Sequence, residues 1–216
     1  SVPKFATSPS AGTLGVTFEK LKRKMSILKD INENNRNVLI NSFPSELQND
    51  VEIVIDFLNN EKLEIHPKLE KPIFINGETI VIPYRIYSNE PKENYENELT
   101  ETQNVILNCL YLTHKNGYLR QKRLEILKNN FEDFVIPYKM KVLSEYVIEI
   151  ISEIESQINE KSIESYLKFI RENPKYWNLT KSRITSYWGE YFKRNCKLKD
   201  YVGRRIIRKI EIELKQ

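Results

Sequence analysis

The sequence contains few of the residues that form turns. Gly occurs 6 times and Pro 9 times among 216 residues, about 7% of the chain against about 12% in an average protein. Turn-dense β-sandwiches and enzymes with glycine-rich phosphate loops need more of these residues, or need them clustered. Hydrophobic residues make up 40% and charged residues 30% of the chain, as in ordinary globular proteins. We therefore expect a mainly α fold.

The N-terminal part of the chain divides into two predicted regions. Residues 1–17 are small and polar and are interrupted by Pro and Gly, which predicts a flexible arm. Residues 18–98 predict a small α+β portion. Its first helix covers 18–34 and carries lysines on its outer face, and its second begins after Ser45.

One β-hairpin is predicted within this portion. Two apolar runs flank Asn76-Gly77, and both residues tolerate the positive φ angles that a type I′ turn requires. We therefore expect a hairpin over 72–87. Because an isolated hairpin is marginally stable in water, it must pack on the helices or pair with another strand.

The region 99–216 predicts an all-helical domain, because apolar residues recur every three or four positions along it. One long helix is predicted over 137–158, with an apolar stripe wide enough to be covered on two sides. Glu145, Glu149 and Glu153 are spaced four apart on it. We interpret them as a solvated polar stripe, because an acid–base or two-metal site needs facing carboxylates on a second helix.

The predicted helix pair that meets at residues 116–117 resembles a HEAT-type repeat unit. The second helix contains Leu119-Arg120 followed by Leu124, and the second helix of such repeats typically carries a Val/Leu-Arg pair followed by Leu. The repeats have small residues where this chain has 121–123, and no second copy recurs at about 40–47 residues. The resemblance implies a helical bundle or HEAT-like helical domain.

Charge is unevenly distributed along the chain. Its net charge is +4, but residues 46–103 contain 13 acidic and 5 basic side chains, whereas residues 193–216 contain 9 basic and 3 acidic ones. A basic helical face attracts phosphates and acidic proteins. The residues that we predict to bind a partner or phosphates are Arg120, Arg123, Arg183, Arg194, Arg204, Arg205, Arg208 and Lys209.

Two interpretations of these cations stay open. They contact a partner, or they pair within the molecule with the acidic 46–103 stretch. The aromatic residues between Tyr176 and Phe192 are typical of packing between helices, although such rings also stack on unpaired bases. A helix-turn-helix over 100–130 is disfavoured, because a long apolar helix follows where a winged form needs a hairpin.

The sequence contains no recognised catalytic motif. Serine-hydrolase, phosphate-loop and dinucleotide-binding signatures are all missing. His66 and His114 have no ligand-spaced partner, and Cys109 and Cys196 lie far apart. We therefore predict no catalytic residue, no metal site and no cofactor, and we favour a binding protein over an enzyme.

These observations together predict a non-catalytic adaptor or assembly subunit that binds another protein with an acidic surface. The alternative is a nucleic-acid-binding protein that contacts phosphates through the same basic, aromatic-rich surface. No run of about 18 apolar residues occurs, which predicts the absence of a membrane span. Two isolated cysteines favour a reducing, cytoplasmic location.

Overall fold

The computed structural model describes residues 33–59, 63–91 and 95–215. The chain forms two compact units, Ser1–Asn37 and Val38–Gln216. Of the first unit only residues 33–37 are described, and they are helical. The predicted arm at 1–17 lies outside the described residues, as does nearly all of the predicted basic helix at 18–34.

The second unit is mainly α with a small β portion, as the sequence predicts. Residues 38–40 are helical, and short 3-10 turns occur at Ser45–Leu47, Tyr95–Glu98 and Leu198–Asp200. Two antiparallel strand pairs lie near its N-terminus, and helices make up most of the remainder. The strands are β1 (Glu64–Ile65), β2 (Ile73–Ile75), β3 (Glu78–Ile80) and β4 (Ile86–Tyr87). The helices are α1 (Gln48–Asn59), α2 (Glu101–Tyr111), α3 (Gly117–Ile126), α4 (Ile136–Leu143), α5 (Ile148–Gln157), α6 (Ile163–Glu172), α7 (Pro174–Tyr187) and α8 (Val202–Glu213), with a π-helical turn at Trp188–Phe192 after α7.

The hairpin at Asn76-Gly77 is confirmed, and it is shorter than predicted. Strands β2 and β3 pair in the register Ile73↔Ile80, and Asn76 and Gly77 have φ angles of 51° and 86°, as a type I′ turn requires. The chain beyond β3 leaves this hairpin, and its last part, β4, pairs instead with β1.

Asn173, between α6 and α7, fixes the hairpin to the helices. Its side chain accepts a hydrogen bond from the Phe74 amide and donates one to the Phe74 carbonyl, both at 2.8 Å. Buried residues of the strands and of the helices belong to one hydrophobic cluster, so the β portion and the helices share a core. The boundary predicted at residue 98 falls within this unit.

The prediction of one long helix over 137–158 is wrong, because residues 144–147 are not helical and separate α4 from α5. The Ser144 hydroxyl donates to the Lys141 carbonyl at 2.8 Å, and Val147 has extended backbone angles. The break lets the chain change direction between α4 and α5. It also removes Glu145 from the predicted solvated stripe and places its side chain in the interior, 7% exposed.

Among the described residues, no helix combines the length and the apolar character needed to cross a bilayer.

Candidate binding surface and buried charge cluster

Helix α8 has one side in the core and a cationic side in solvent. The residues on its buried side are apolar, and they are spaced one, three and four positions apart, which matches the helical repeat. The buried residues are Val202, Gly203, Ile206, Ile207 and Ile210. The exposed residues between them include Arg204, Arg205, Arg208 and Lys209, so four of the eight predicted binding residues share this helix.

Gly203 allows α8 to approach α7 closely. A Cβ atom at Gly203 would lie 2.7 Å from Ile184 Cγ2, and Ile184 is fully buried. Non-bonded carbon atoms prefer separations of about 3.5–4.0 Å. Gly203 therefore lets α8 pack closely against α7. This packing fixes the orientation of α8 and of the cations on it.

The exposed cations of this region differ in how they are held. Arg205 donates to both carboxylate oxygens of Glu155 at 2.8 and 2.6 Å, and these hydrogen bonds raise its pKa. Lys209 donates to the Ile158 carbonyl. The side chains of Arg204, Arg208 and Arg194 are exposed and have no hydrogen-bond or ion-pair partner among the residues that the structure describes.

Arg123, in contrast, lies in the interior and is 1% exposed. Its guanidinium donates to Glu96 at 2.7 and 2.9 Å and to Asn108 at 3.2 Å. It also lies 4.5 Å from the centre of the Tyr111 ring. The contacts to Glu96, with a longer one to Glu90, connect α3 to the acidic 46–103 stretch. The buried position leaves Arg123 inaccessible to a partner.

Arg120 is also interior, at 4% exposure. It donates to the His114 carbonyl at 2.7 Å, and its second terminal nitrogen lies 2.8 Å from Glu145. Arg85 approaches the other oxygen of the same carboxylate at 3.0 Å. Glu145 is thus held between two guanidinium groups.

Arg183 on α7 is half-buried and joins a neighbouring ion pair. It donates to Glu70 at 3.2 Å and to the Ser144 hydroxyl at 3.3 Å. Among the eight predicted residues, Arg123 and Arg183 therefore pair with the acidic 46–103 stretch. The cations of α8 do not pair with that stretch in the described part of the chain.

Two lysines of α4 are buried, which the sequence pattern did not predict. Lys139 is fully buried and donates to the carbonyls of Leu127 and Asn130 at 2.8 and 2.9 Å. Lys141 is 2% exposed. Burial lowers the pKa of each lysine to about 8. Residues two apart on a helix point in opposite directions. Two lysines so placed in the apolar run 134–143 therefore indicate that at least one of them is interior.

The aromatic residues of this region fall into two groups. Tyr176 and Trp177 are buried, as predicted for core packing. Tyr191, however, is 54% exposed, and Tyr146 is 52% exposed. Their rings are 5.2 Å apart, and Tyr187 lies 5.8 Å from Tyr146, which forms a tyrosine cluster at the surface.

Cys109 and His114 are both buried in the interior. Burial raises the pKa of the Cys109 thiol well above its ordinary value, so it is not a nucleophile near neutral pH. His114 accepts from the Asn116 amide and contacts the Ser88 backbone. The described residues contain no group of three or more His, Cys, Asp or Glu side chains that could hold a metal ion.

Comparison of the chain with family models, with curated proteins and with solved structures finds no match.

Proposed function

We propose that this protein is an adaptor or assembly subunit that binds an acidic protein through a basic surface formed by Arg194, Arg204 and Arg208. The observation that supports this is the absence of an intramolecular partner for these three exposed side chains among the described residues. Arginine forms two parallel hydrogen bonds with a carboxylate. The firm seating of α8 in the core presents two of these arginines on a rigid helix.

The composition of the surface favours a protein over nucleic acid. Ile212 is 51% exposed and lies one turn after Arg208, on the same side of α8. Arginine beside apolar and aromatic groups is typical of protein interfaces. Glu155 neutralises the neighbouring Arg205, and a carboxylate at that position would repel phosphates.

An intracellular, cytoplasmic setting belongs to the same proposal. Cys109 and Cys196 are both unpaired thiols, the state that a reducing compartment maintains.

A pull-down from the native host, read by mass spectrometry, tests the proposal. The charge reversal Arg194→Glu, Arg204→Glu and Arg208→Glu should abolish recovery of the partner. The matched control is Lys71→Glu, Lys128→Glu and Lys175→Glu, which changes three other exposed cations without a partner among the described residues by the same total charge. Equal recovery with both variants would contradict the proposal.

Nucleic acid is the second candidate, and the exposed tyrosine cluster supports it, because such rings stack on unpaired bases. Under this alternative, recovery of the partner is lost after nuclease treatment. Oligonucleotide binding would then weaken by orders of magnitude between about 50 and about 200 mM salt. Recovery that survives nuclease treatment contradicts this alternative.

A further inference from the structure

A cavity of about 200 Å³ lies where the β portion meets α4 and α7. It is separate from the basic surface. Its walls are polar and charged, with three tyrosines. They comprise Lys68, Glu70, Tyr84, Arg85, Lys141, Ser144, Glu145, Tyr146, Arg183 and Tyr187.

Lys141 is the buried cation of this wall. Its nitrogen lies 3.9 Å from Glu145 and 5.8 Å from the centre of the Tyr84 ring, and it donates no hydrogen bond to any residue that the structure describes. An ammonium group has three donors, and burying it without acceptors is unfavourable. Its pKa of about 8 leaves it mostly protonated near neutral pH. The cavity is where an acceptor can reach it.

The carboxylates of the wall are already matched by arginines. Glu145 lies between Arg85 and Arg120, and Glu70 pairs with Arg183 at 3.2 Å. Four cations of the wall, Lys68, Arg85, Lys141 and Arg183, face these two carboxylates, which leaves a net charge of +2 around the cavity. Such an excess of positive charge, part of it on the buried Lys141, favours an anion.

The size of the cavity and the residues at its rim indicate which kind of anion fits. At about 30 Å³ for each water molecule in the liquid, the volume equals about seven waters, enough for a phosphate group and part of the sugar that carries it. Tyr146 and Tyr187 line the cavity, and Tyr146 is half-exposed at its rim. Tyrosine rings in this position can stack on a nucleobase.

We propose that this cavity binds the phosphate of a nucleotide, with Lys141 and Arg183 donating to the phosphate oxygens and the base stacked on Tyr146. A phosphate monoester carries up to two negative charges and accepts several hydrogen bonds. It therefore supplies the acceptors that Lys141 lacks and offsets most of the excess charge.

Titration calorimetry with inorganic phosphate at low ionic strength tests the charged part of the site. The full chain should bind phosphate, and Lys141→Met should weaken binding by about tenfold or more, because a charge-assisted hydrogen bond is lost. The matched control is Lys139→Met, which removes the other buried lysine of α4 outside the cavity. No binding by the native chain, or equal binding by Lys141→Met, would overturn the proposal. If Lys141→Met does not fold, Arg183→Gln makes the same test.

Adenosine 5′-monophosphate tests the aromatic part. It should bind more tightly than inorganic phosphate, and Tyr146→Ala should remove that advantage without changing the affinity for phosphate. Tyr118→Ala is the control, because Tyr118 is 87% exposed and lies outside the cavity wall. An unchanged affinity of Tyr146→Ala for the nucleotide would overturn the stacking.

One more comparison of affinities identifies whether the phosphate belongs to a free nucleotide or to the end of a nucleic-acid strand. Tighter binding of adenosine 5′-monophosphate than of a 5′-phosphorylated oligonucleotide would identify a free nucleotide as the ligand. The reverse order would identify the end of a strand, and a 5′-hydroxyl oligonucleotide should then bind at least about tenfold more weakly. If the phosphorylated and unphosphorylated strands bind equally, the phosphate is not what the cavity recognises.

Discussion

Helices α3 and α8 are both rich in arginine, but their arginines lie in opposite environments. The buried positions of the two segments have the same spacing: an adjacent pair, a second adjacent pair one turn later, and a single residue after that. In α3 and the residue after it, Leu119, Arg120, Arg123, Leu124 and Leu127 fill these positions. In α8, they are filled by Val202, Gly203, Ile206, Ile207 and Ile210.

The position of an arginine relative to the apolar residues therefore decides its burial. Arg120 and Arg123 share the inward side of α3 with leucines, and they are tolerated there because Glu145, Glu90 and Glu96 neutralise them. The arginines of α8 fall between its buried positions and remain in solvent. The first group pairs with carboxylates inside the fold, whereas in the second group the side chains of Arg204 and Arg208 have no partner among the described residues.

Removing the buried counter-ion of α3 should have the largest effect. Glu145→Gln keeps the shape of the side chain but leaves Arg85, Arg120 and Lys141 without their carboxylate. Breaking a buried ion pair in this way destabilises proteins by about 3–5 kcal/mol, and urea unfolding measures it. Glu149→Gln, four residues later and exposed, should change stability by less than about 0.5 kcal/mol. Similar losses for both variants would show that Glu145 has no special role.

The seating of α8 gives the next largest effect. Gly203→Ala places a methyl group 2.7 Å from Ile184, and overpacking of this kind costs about 1–3 kcal/mol. Gly189→Ala is the control, because its added Cβ meets no atom within 4 Å. Thermal unfolding should show a loss for Gly203→Ala alone. A Gly203→Ala protein of native stability would mean that α8 can shift outward without penalty.

The two buried lysines of α4 predict how stability depends on pH. Their pKa values are lowered to about 8 by burial, against about 10.4 in an unfolded chain. Above pH 8 the folded state loses these protons first, so the unfolded state binds more protons and stability rises with pH. We expect a gain of about 1 kcal/mol between pH 7.5 and 8.5, before the thiol of Cys109 and the buried tyrosines reverse the trend at higher pH.

Urea unfolding at several pH values measures this gain. The rise should be smaller in the Lys141→Met variant, which has one of the two lysines. A stability that is flat or falls between pH 7.5 and 8.5 would show that both lysines keep their protons in the folded state.

Local signals in the sequence predicted part of this structure. Asn76-Gly77 predicted a turn because both residues tolerate positive φ. The apolar spacing that predicted helices over 99–216 includes Ile206, Ile207 and Ile210, which lie on the buried side of α8. The break at 144–147 was not predictable in this way, because apolar spacing continues across it. A tertiary contact accompanies the end of α4, since Glu145 is buried there between two arginines from distant segments.

The candidate site was predicted less well than the fold for a related reason. Counting charges along the chain selected Arg120 and Arg123 together with Arg204 and Arg208, although only the second pair is exposed. The sequence did contain a sign of this difference in burial, because Arg120 and Arg123 occupy the same side of their helix as its leucines. The cavity at Lys141 was harder to predict from the sequence. Its one sign was the presence of two lysines in an apolar helix, and the residues that line it come from segments far apart in the chain.

The smallest effect on stability should come from the basic surface itself. Arg204→Glu and Arg208→Glu change exposed side chains that have no partner among the described residues, and such substitutions usually alter stability by no more than about 0.5 kcal/mol. Their effect on partner recovery should nevertheless be large, because each replaces an attraction with a repulsion. Urea unfolding of the double variant, set beside that of Glu145→Gln, separates the two groups of charges. A loss above about 2 kcal/mol in the double variant would place these arginines with the structural ones.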